Sequence, residues 1–259
     1  MDEMVVGVGA SLKAAYDKQY TDETDAWRDV GGKYKADNIL HVCRGHEFER
    51  VLDCGAGDGS VLKYLEASGA FKELHAIEIS DSAISQIEKR RLQSVKEIKQ
   101  FDGYEIPYPD GHFQMAYCSH VVEHVEHPRA LLRELARVSQ HQVFEIPLDY
   151  SAGVDTQIEH YLSYGHINVY TPSLFRFLLR SEGFVVKNDL LTHVANEVRR
   201  HKDYVKTGLK KTPLRELKIA LLPFLRAAKK AVYGSKRFDE YAYSAYTCLT
   251  ERTGRIYVL

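Results

Sequence analysis

The sequence predicts an α/β fold in which helices cover both faces of a mostly parallel sheet. Short apolar runs alternate with segments of helical spacing between residues 49 and 191, and this alternation is typical of parallel strands joined by crossover helices. The first apolar run ends in a cluster of glycines at 55–59. Glycines at that point indicate a ligand-binding turn at the carboxyl edge of the sheet.

The elements follow one another in a regular order. Apolar runs predict strands at 49–54, 73–79, 95–101, 112–118, 141–147, 184–191 and 243–249. Helical spacing predicts helices at 60–68, 83–92, 129–138 and 172–182. The last of these helices is bounded by Thr171 at its cap, Pro172 in its first turn and Gly183 after its end, which are recognised boundary signals.

Two flanking segments differ from this alternation. Residues 1–42 are predicted to form a helical lid with the aromatics Tyr16, Tyr20 and Trp27, and the pair Gly31-Gly32 interrupts the helical pattern. Residues 199–240 are rich in Lys and Arg and have helical spacing. We therefore divide the chain into a lid (1–42), a core (43–198), a basic helical insertion (199–240) and a final strand of the core (241–259).

Composition excludes several classes of protein. The chain has 259 residues, of which 44% are hydrophobic and 27% charged, as in soluble globular proteins and unlike disordered or fibrous ones. The apolar stretch 219–225 is too short to span a bilayer, and no signal peptide is evident, so we expect a cytoplasmic protein. The four cysteines are far apart and form no CxxC pair, which argues against a disulfide framework or a zinc ribbon.

Charge is distributed unevenly along the chain. Residues 199–237 contain thirteen Lys or Arg and two acidic residues, while the net charge of the whole chain is −1. The rest of the protein is therefore acidic. A basic segment of this kind either contacts an anionic partner or is a solvated helical face.

Three acidic residues lie at the ends of three consecutive predicted strands. Asp53 precedes Gly55 and Gly57, Glu78 ends the second strand, and Asp102 follows the third. The glycine spacing differs from both the dinucleotide-binding fingerprint and the Walker loop. An acid before the glycines suits an ammonium group, the acid after the second strand suits ribose hydroxyls, and the third suits an adenine amino group. The set favours a cationic cofactor that contains ribose and adenine.

The motifs resemble those of class I S-adenosylmethionine-dependent methyltransferases, of the small-molecule type. The similar segments are 51–59 (VLDCGAGDG), 106–110 (IPYPD), 121–124 (VVEH), 166–171 (HINVYT) and 182–184 (EGF). The resemblance implies a seven-stranded Rossmann-like sheet of order 3-2-1-4-5-7-6, with the last strand antiparallel, and S-adenosyl-L-methionine as cofactor.

The same resemblance implies positions for the cofactor. The methionine end would lie at Asp53, Gly55 and Gly57, the ribose at Glu78, and the adenine at Asp102 and Gly103. Tyr20 of the lid suits a sulfonium through cation–π attraction. The complete predicted cofactor set is Asp53, Gly55, Ala56, Gly57, Glu78, Ile79, Asp102, Gly103, Cys118, Ser119 and Tyr20.

The loop 149–170 is the predicted acceptor wall. A hydroxyl acceptor has to lose a proton, which a histidine typically takes, so His166 and His160 are the candidate catalytic residues; a structural role for His166 is the alternative. The residues 120–124 form an HxxEH pattern, as in some zinc peptidases, but they follow a strand instead of lying on a long helix. We therefore predict no metal.

These observations predict a methyltransferase that acts on a small molecule, at oxygen, with a sugar or another hydroxyl compound as the leading acceptor. The acceptor is expected to be anionic or lipid-linked, and residues 214–233 are expected to contact a membrane surface peripherally. Nucleic acid is not an expected partner. Two alternatives remain: methylation of RNA or an acidic protein through the basic insertion, and a non-enzymatic module that binds the cofactor.

Overall fold

The computed structural model describes Asp17, Tyr20 and residues 25–150 and 153–254. Within this part of the chain, one sheet has the strand order β3-β2-β1-β4-β5-β7-β6. Strand β7 is antiparallel to both of its neighbours, and the other pairs are parallel. The predicted fold is confirmed. The strands are β1 (Arg50–Cys54), β2 (Glu73–Glu78), β3 (Val95–Gln100), β4 (Phe113–Ser119), β5 (Ser139–Pro147), β6 (Phe184–Thr192) and β7 (Ala245–Arg252).

Helices cover both faces of the sheet. One buried cluster includes Leu131 and Phe175 and the other includes Ile39 and Leu62, so each face has its own core. Short 3-10 turns and a π-helical turn, His201–Lys206, lie between the helices. The helices are α1 (Asp25–Val42), α2 (Ser60–Ser68), α3 (Asp81–Arg90), α4 (Pro128–Val138), α5 (Ile158–Ser163), α6 (Pro172–Ser181), α7 (Asn196–Arg200), α8 (Pro213–Tyr233) and α9 (Ser235–Tyr241).

Strand alternation decides which side chains of β1 and β4 share a face. Cys54 and Cys118 belong to one buried cluster, and Tyr117 belongs to the other. Asp53 accepts a hydrogen bond from the hydroxyl of Tyr117, so its side chain lies on the opposite face from both cysteines.

Helix α1 is continuous through Gly31 and Gly32, where the sequence pattern predicts an interruption. A Cβ atom on Gly32 would lie 2.8 Å from Ser60 at the start of α2. The glycine therefore permits close packing of α1 against α2 and does not break the helix. Most of the predicted lid before α1, including Tyr16, lies outside the described residues.

The basic segment lies between the two antiparallel strands at one edge of the sheet. Helices α7, α8 and α9 connect β6 to β7. Many apolar side chains of α8 are exposed, among them Leu214, Leu217, Phe224 and Val232. In the described part of the chain, no helix has the length and apolar character needed to cross a membrane.

Candidate functional site

The glycine turn after β1 forms the floor of the site. Gly55 has a φ of 77°, and a Cβ atom there would lie 2.5 Å from a methyl group of Val121. Gly57 also has a positive φ, of 55°, and its Cβ position is 3.3 Å from the Tyr20 hydroxyl. Side chains at these positions would be strained and would fill the space above the turn.

Two buried acids hold this turn in place. The Glu78 carboxylate accepts hydrogen bonds from the backbone N–H groups of Gly57 and Ile79, both at 2.8 Å, and of Ser80 at 3.1 Å. Asp58 accepts from Arg90 at 2.8 Å. Glu78 therefore positions the turn in addition to its predicted role toward a ribose.

Asp53 is buried where β1 enters the turn. The Tyr117 hydroxyl donates to its Oδ2 at 2.6 Å. Burial raises the pKa of Asp53 to about 8, although the Tyr117 hydrogen bond opposes the rise. A cationic ligand beside this carboxyl would favour its ionised form.

A cavity of about 380 Å³ lies above the glycine turn. Of the predicted cofactor set, it is lined by Asp53, Gly55, Ala56, Gly57, Ser119 and Tyr20. The remaining members, Glu78, Ile79, Asp102, Gly103 and Cys118, are not among its lining residues. The cavity thus matches the predicted methionine end of the cofactor site.

Asp102 and Cys118 have other surroundings. The Asp102 carboxylate accepts from the backbone N–H groups of Tyr104 and Glu105 at 2.9 and 2.7 Å, and so it stabilises the turn after β3. Cys118 is buried in the core on the face opposite Asp53. Any cofactor contact of Cys118 would therefore involve its backbone.

The cavity also contains two basic residues of α1 that the sequence interpretation missed. Arg28 and Lys35 line it, together with Gly31 and Gly32. Lys35 has no hydrogen bond or ion pair within the described residues, and Arg28 lies over the ring of Tyr20, 4.2 Å from its centroid. The spacing 28, 31, 32, 35 is typical of one face of a helix, and this spacing could have indicated from the sequence that these residues lie together.

His120 links the cavity to a second polar group of residues. It lines the cavity and has a φ of 57°, which is uncommon for a residue other than glycine. Its Nδ1 lies 3.5 Å from Oε1 of the buried Glu123. Such a backbone conformation beside a cavity is a feature of functional sites.

Glu123, His124 and His166 each have a potential ligand atom within 4.8 Å of the others. Nδ1 of His166 lies 2.6 Å from Oδ2 of Asp149, and Nδ1 of His124 lies 3.0 Å from the Gly165 carbonyl oxygen. Backbone hydrogen bonds from Ile167 and Asn168 to the Glu123 carbonyl hold the two segments together. Because these segments are far apart in the sequence, the cluster could not be recognised from the sequence alone.

The environment shifts the pKa values of this cluster in different directions. Burial raises the pKa of Glu123 to about 7 and lowers the pKa of His124 to about 4. Burial opposes the charge on His166 as well, but the Asp149 hydrogen bond and the charge of Glu123 outweigh it and raise the pKa of that imidazole. His160, the other predicted catalytic residue, is exposed on α5, with its ring centroid 5.1 Å from that of Tyr164.

Comparison with known proteins identifies the family. The sequence profile described as "Methyltransferase domain" matches residues 26–188. The chain belongs to this methyltransferase family. It is 29% identical over 124 residues to YrhH of Bacillus subtilis (strain 168), which is a methyltransferase by name. The aligned region covers 45% of this chain and 69% of that protein.

Two other methyltransferases are similar over part of the sequence or in fold. A malonyl-[acyl-carrier protein] O-methyltransferase of Halorhodospira halophila is 29% identical over 92 residues, which are 35% of this chain and 31% of that protein. The Streptomyces coelicolor geranyl diphosphate C-methyltransferase was solved with Mg²⁺, geranyl diphosphate and S-adenosyl-L-homocysteine. The two chains share the fold, with a TM-score of 0.56 and 10% sequence identity. The match covers 85% of this chain and 79% of that one.

The protein is thus an S-adenosylmethionine-dependent methyltransferase, and the cavity residues fit this cofactor. The methionine end of the cofactor is a zwitterion next to a sulfonium. The cavity offers a buried carboxyl at Asp53 for the ammonium group, and for the carboxylate it offers the amine of Lys35, which pairs with none of the described residues. The Tyr20 ring lies against the turn at Gly57, where an aromatic face can contact a cation.

Proposed function

We propose that this methyltransferase transfers the methyl group to a hydroxyl oxygen of a small-molecule acceptor, such as a sugar or another hydroxyl compound. The observation on which the proposal rests is the pair formed by His166 and Asp149, with 2.6 Å between Nδ1 and Oδ2. A carboxylate at Nδ1 orients the imidazole and stabilises its protonated form. Nε2 is then the nitrogen that can take a proton.

The position of this pair suits attack on the methyl group. His120 lines the cofactor cavity and approaches Glu123, which lies beside His166. An acceptor between the cavity and His166 would donate its hydroxyl proton to Nε2 as the new O–C bond forms and the S–C bond breaks. S-adenosylhomocysteine leaves as the second product. Positioning supplies much of the rate of such an in-line displacement.

His160 has a lesser role in this proposal. Its exposed ring packs against Tyr164, whose ring centroid is 6.0 Å from that of His166. We assign His160 and Tyr164 to contact with the acceptor, because no carboxylate of the described residues hydrogen-bonds to His160 to orient it.

A second cavity supports an anionic acceptor. It has a volume of about 860 Å³ and lies between α8 and α9, where Arg226, Lys229 and Arg237 line it together with apolar and aromatic residues. No acidic residue is among its lining residues. Tyr150 also lines it and directly follows Asp149 in the chain.

The exposed apolar side chains of α8 support a lipid-linked acceptor and peripheral contact with a membrane. Leu214, Leu217 and Phe224 are 62%, 55% and 71% exposed, and Lys and Arg flank them. A helix with these properties can lie in a membrane interface.

The test is a measurement of S-adenosylhomocysteine by mass spectrometry with the purified protein and a panel of acceptors. The panel contains sugars, sugar phosphates, lipid-linked sugar phosphates, RNA and an acidic protein. We expect product with a hydroxyl-bearing small molecule and an O-methyl signal in its NMR spectrum. Asp149→Asn should reduce kcat while leaving S-adenosylmethionine affinity unchanged. Product with RNA or protein alone contradicts the proposal, as does methylation at nitrogen.

A further inference from the structure

Glu123 is a buried carboxyl group without a hydrogen-bond partner. It is fully buried, and neither of its carboxylate oxygens forms a hydrogen bond with another residue of the described chain. Burial of such a group without a partner is costly, and a positive ligand is one of the ways in which proteins offset the cost. Three imidazoles surround it, those of His120, His124 and His166.

The distances in this cluster are too long for hydrogen bonds. Oε1 of Glu123 lies 3.7 Å from Nε2 of His124, and the three ligand atoms of the cluster are all within 4.8 Å of one another. Donor atoms at ~2.0–2.2 Å from a tetrahedral ion stand ~3.3–3.6 Å apart. The Glu123–His124 separation is close to this value, and a small inward movement of the remaining atoms would complete the set.

Both histidines are oriented as metal ligands usually are. Nδ1 of His166 contacts the Asp149 carboxylate at 2.6 Å, and Nδ1 of His124 contacts the Gly165 carbonyl oxygen at 3.0 Å. An oxygen acceptor at Nδ1 places the proton there, so the lone pair is on Nε2. This second layer of contacts is typical of zinc sites, where it fixes the tautomer and the direction of each ring.

We propose that Glu123, His124 and His166 bind a divalent transition-metal ion. Two imidazoles and one carboxylate form a known ligand set with open positions for substrate, whereas Mg²⁺ and Ca²⁺ prefer oxygen ligands. The sequence analysis predicted no metal because the HxxEH pattern at 120–124 follows a strand instead of lying on a long helix. The set proposed here uses Glu123 and His124 of that pattern together with His166 from a distant loop.

What the ion would do chemically rests on the proposed O-methylation. An acceptor hydroxyl at an open position of the ion would have a lowered pKa, so its proton would leave to solvent and the oxygen would attack the methyl group. His166 then acts as a ligand. In the ion-free protein, His166 remains the group that takes the proton.

The experiment measures metal binding without any acceptor. The full chain, freed of metal with a chelator, is titrated with Zn²⁺, Co²⁺ and Mg²⁺ by calorimetry, and the visible absorption of bound Co²⁺ reports its ligand geometry. We expect one Zn²⁺ or Co²⁺ per chain and no comparable binding of Mg²⁺. Glu123→Gln and His166→Asn should abolish the site, and Asp149→Asn should weaken it by roughly 10–100-fold.

His127→Gln is the matched control, because His127 is an exposed histidine on the same segment outside the cluster. Circular dichroism and melting temperature show whether each variant folds. Absence of metal binding by the folded wild-type protein, or equal binding by Glu123→Gln and His127→Gln, overturns the inference. Neither result affects the proposed O-methylation, because the ion-free route through His166 and the acceptor assay are independent of it.

Discussion

At the scale of single residues, the buried carboxyl groups of Glu78, Asp53 and Glu123 have three different environments. Glu78 accepts three backbone N–H groups, Asp53 accepts one tyrosine hydroxyl, and Glu123 accepts no hydrogen bond from another described residue. Their roles differ accordingly. Glu78 holds the glycine turn, whereas Asp53 and Glu123 are the carboxyl groups that we propose to interact with a cationic ligand.

Binding of S-adenosylmethionine should release a proton from Asp53. Burial raises the pKa of Asp53 to about 8, so at pH 7 the empty protein holds this carboxyl mainly protonated. The cofactor ammonium favours the ionised form, and affinity should therefore rise with pH up to about 8. Calorimetry at pH 7 in buffers of different ionisation enthalpy should show a net release of protons on cofactor binding.

Asp53→Asn is the informative variant for this prediction. It retains the shape and can still accept from Tyr117, but it has no proton to release. Its binding enthalpy should be independent of the buffer and its affinity lower. Buffer-dependent binding of equal size in Asp53→Asn would place the released proton on another group.

The residues of the site differ in how far the sequence could predict them. The position of Asp53 and Gly55 at the cavity could be inferred from the sequence, because a strand, an acid and a glycine turn are adjacent in the chain. Lys35 was not recognised because its role depends on the packing of α1 over the turn. The proximity of Glu123 to His166 depends on the fold of a loop far along the chain, and no local pattern encodes it.

At the scale of elements, the packing of α1 on α2 depends on one glycine. The prediction of a helix interruption at Gly31-Gly32 was wrong, because the two glycines have different surroundings in a continuous helix. A Cβ atom on Gly32 would lie 2.8 Å from backbone and side-chain atoms of Ser60, whereas one on Gly31 would meet nothing within 4 Å.

Alanine at these two neighbouring positions should have opposite effects on stability. Gly31→Ala removes the entropic disadvantage of glycine in a helix and should stabilise the cofactor-free protein by about 0.5–1 kcal/mol. Gly32→Ala forces α1 and α2 apart and should destabilise it by about 1–3 kcal/mol. Melting temperatures measure both changes, at ~2–4 °C for each kcal/mol in a domain of this size. Equal shifts would mean that the helices do not pack closely here.

At the scale of the whole molecule, the cavity at the glycine turn and the cavity lined by the basic insertion are two separate features. The glycine turn and Asp53 line the cavity predicted to hold the cofactor, and the basic helices between β6 and β7 line a second cavity. Within the insertion the basic residues are not equivalent. Lys230 forms an ion pair with Asp239 at 2.9 Å, so it joins α8 to α9, whereas Arg226 and Lys229 line the cavity without an ion pair in the described structure.

Charge reversal should therefore impair acceptor recognition only where the charge lines the cavity. Arg226→Glu with Lys229→Glu should raise the Michaelis constant of an anionic acceptor roughly 10-fold or more, since a hydrogen bond to a charged group contributes about 1.5–3 kcal/mol. The salt dependence of this Michaelis constant should fall, and the affinity for the cofactor should not change.

Lys218→Glu with Lys236→Glu is the matched control, because it alters the net charge equally at exposed residues outside the cavity. The same pairs can be compared by sedimentation with anionic vesicles before an acceptor is known. If both pairs reduce acceptor and vesicle binding equally, the segment acts through its overall charge at a surface; if neither does, it is a solvated face.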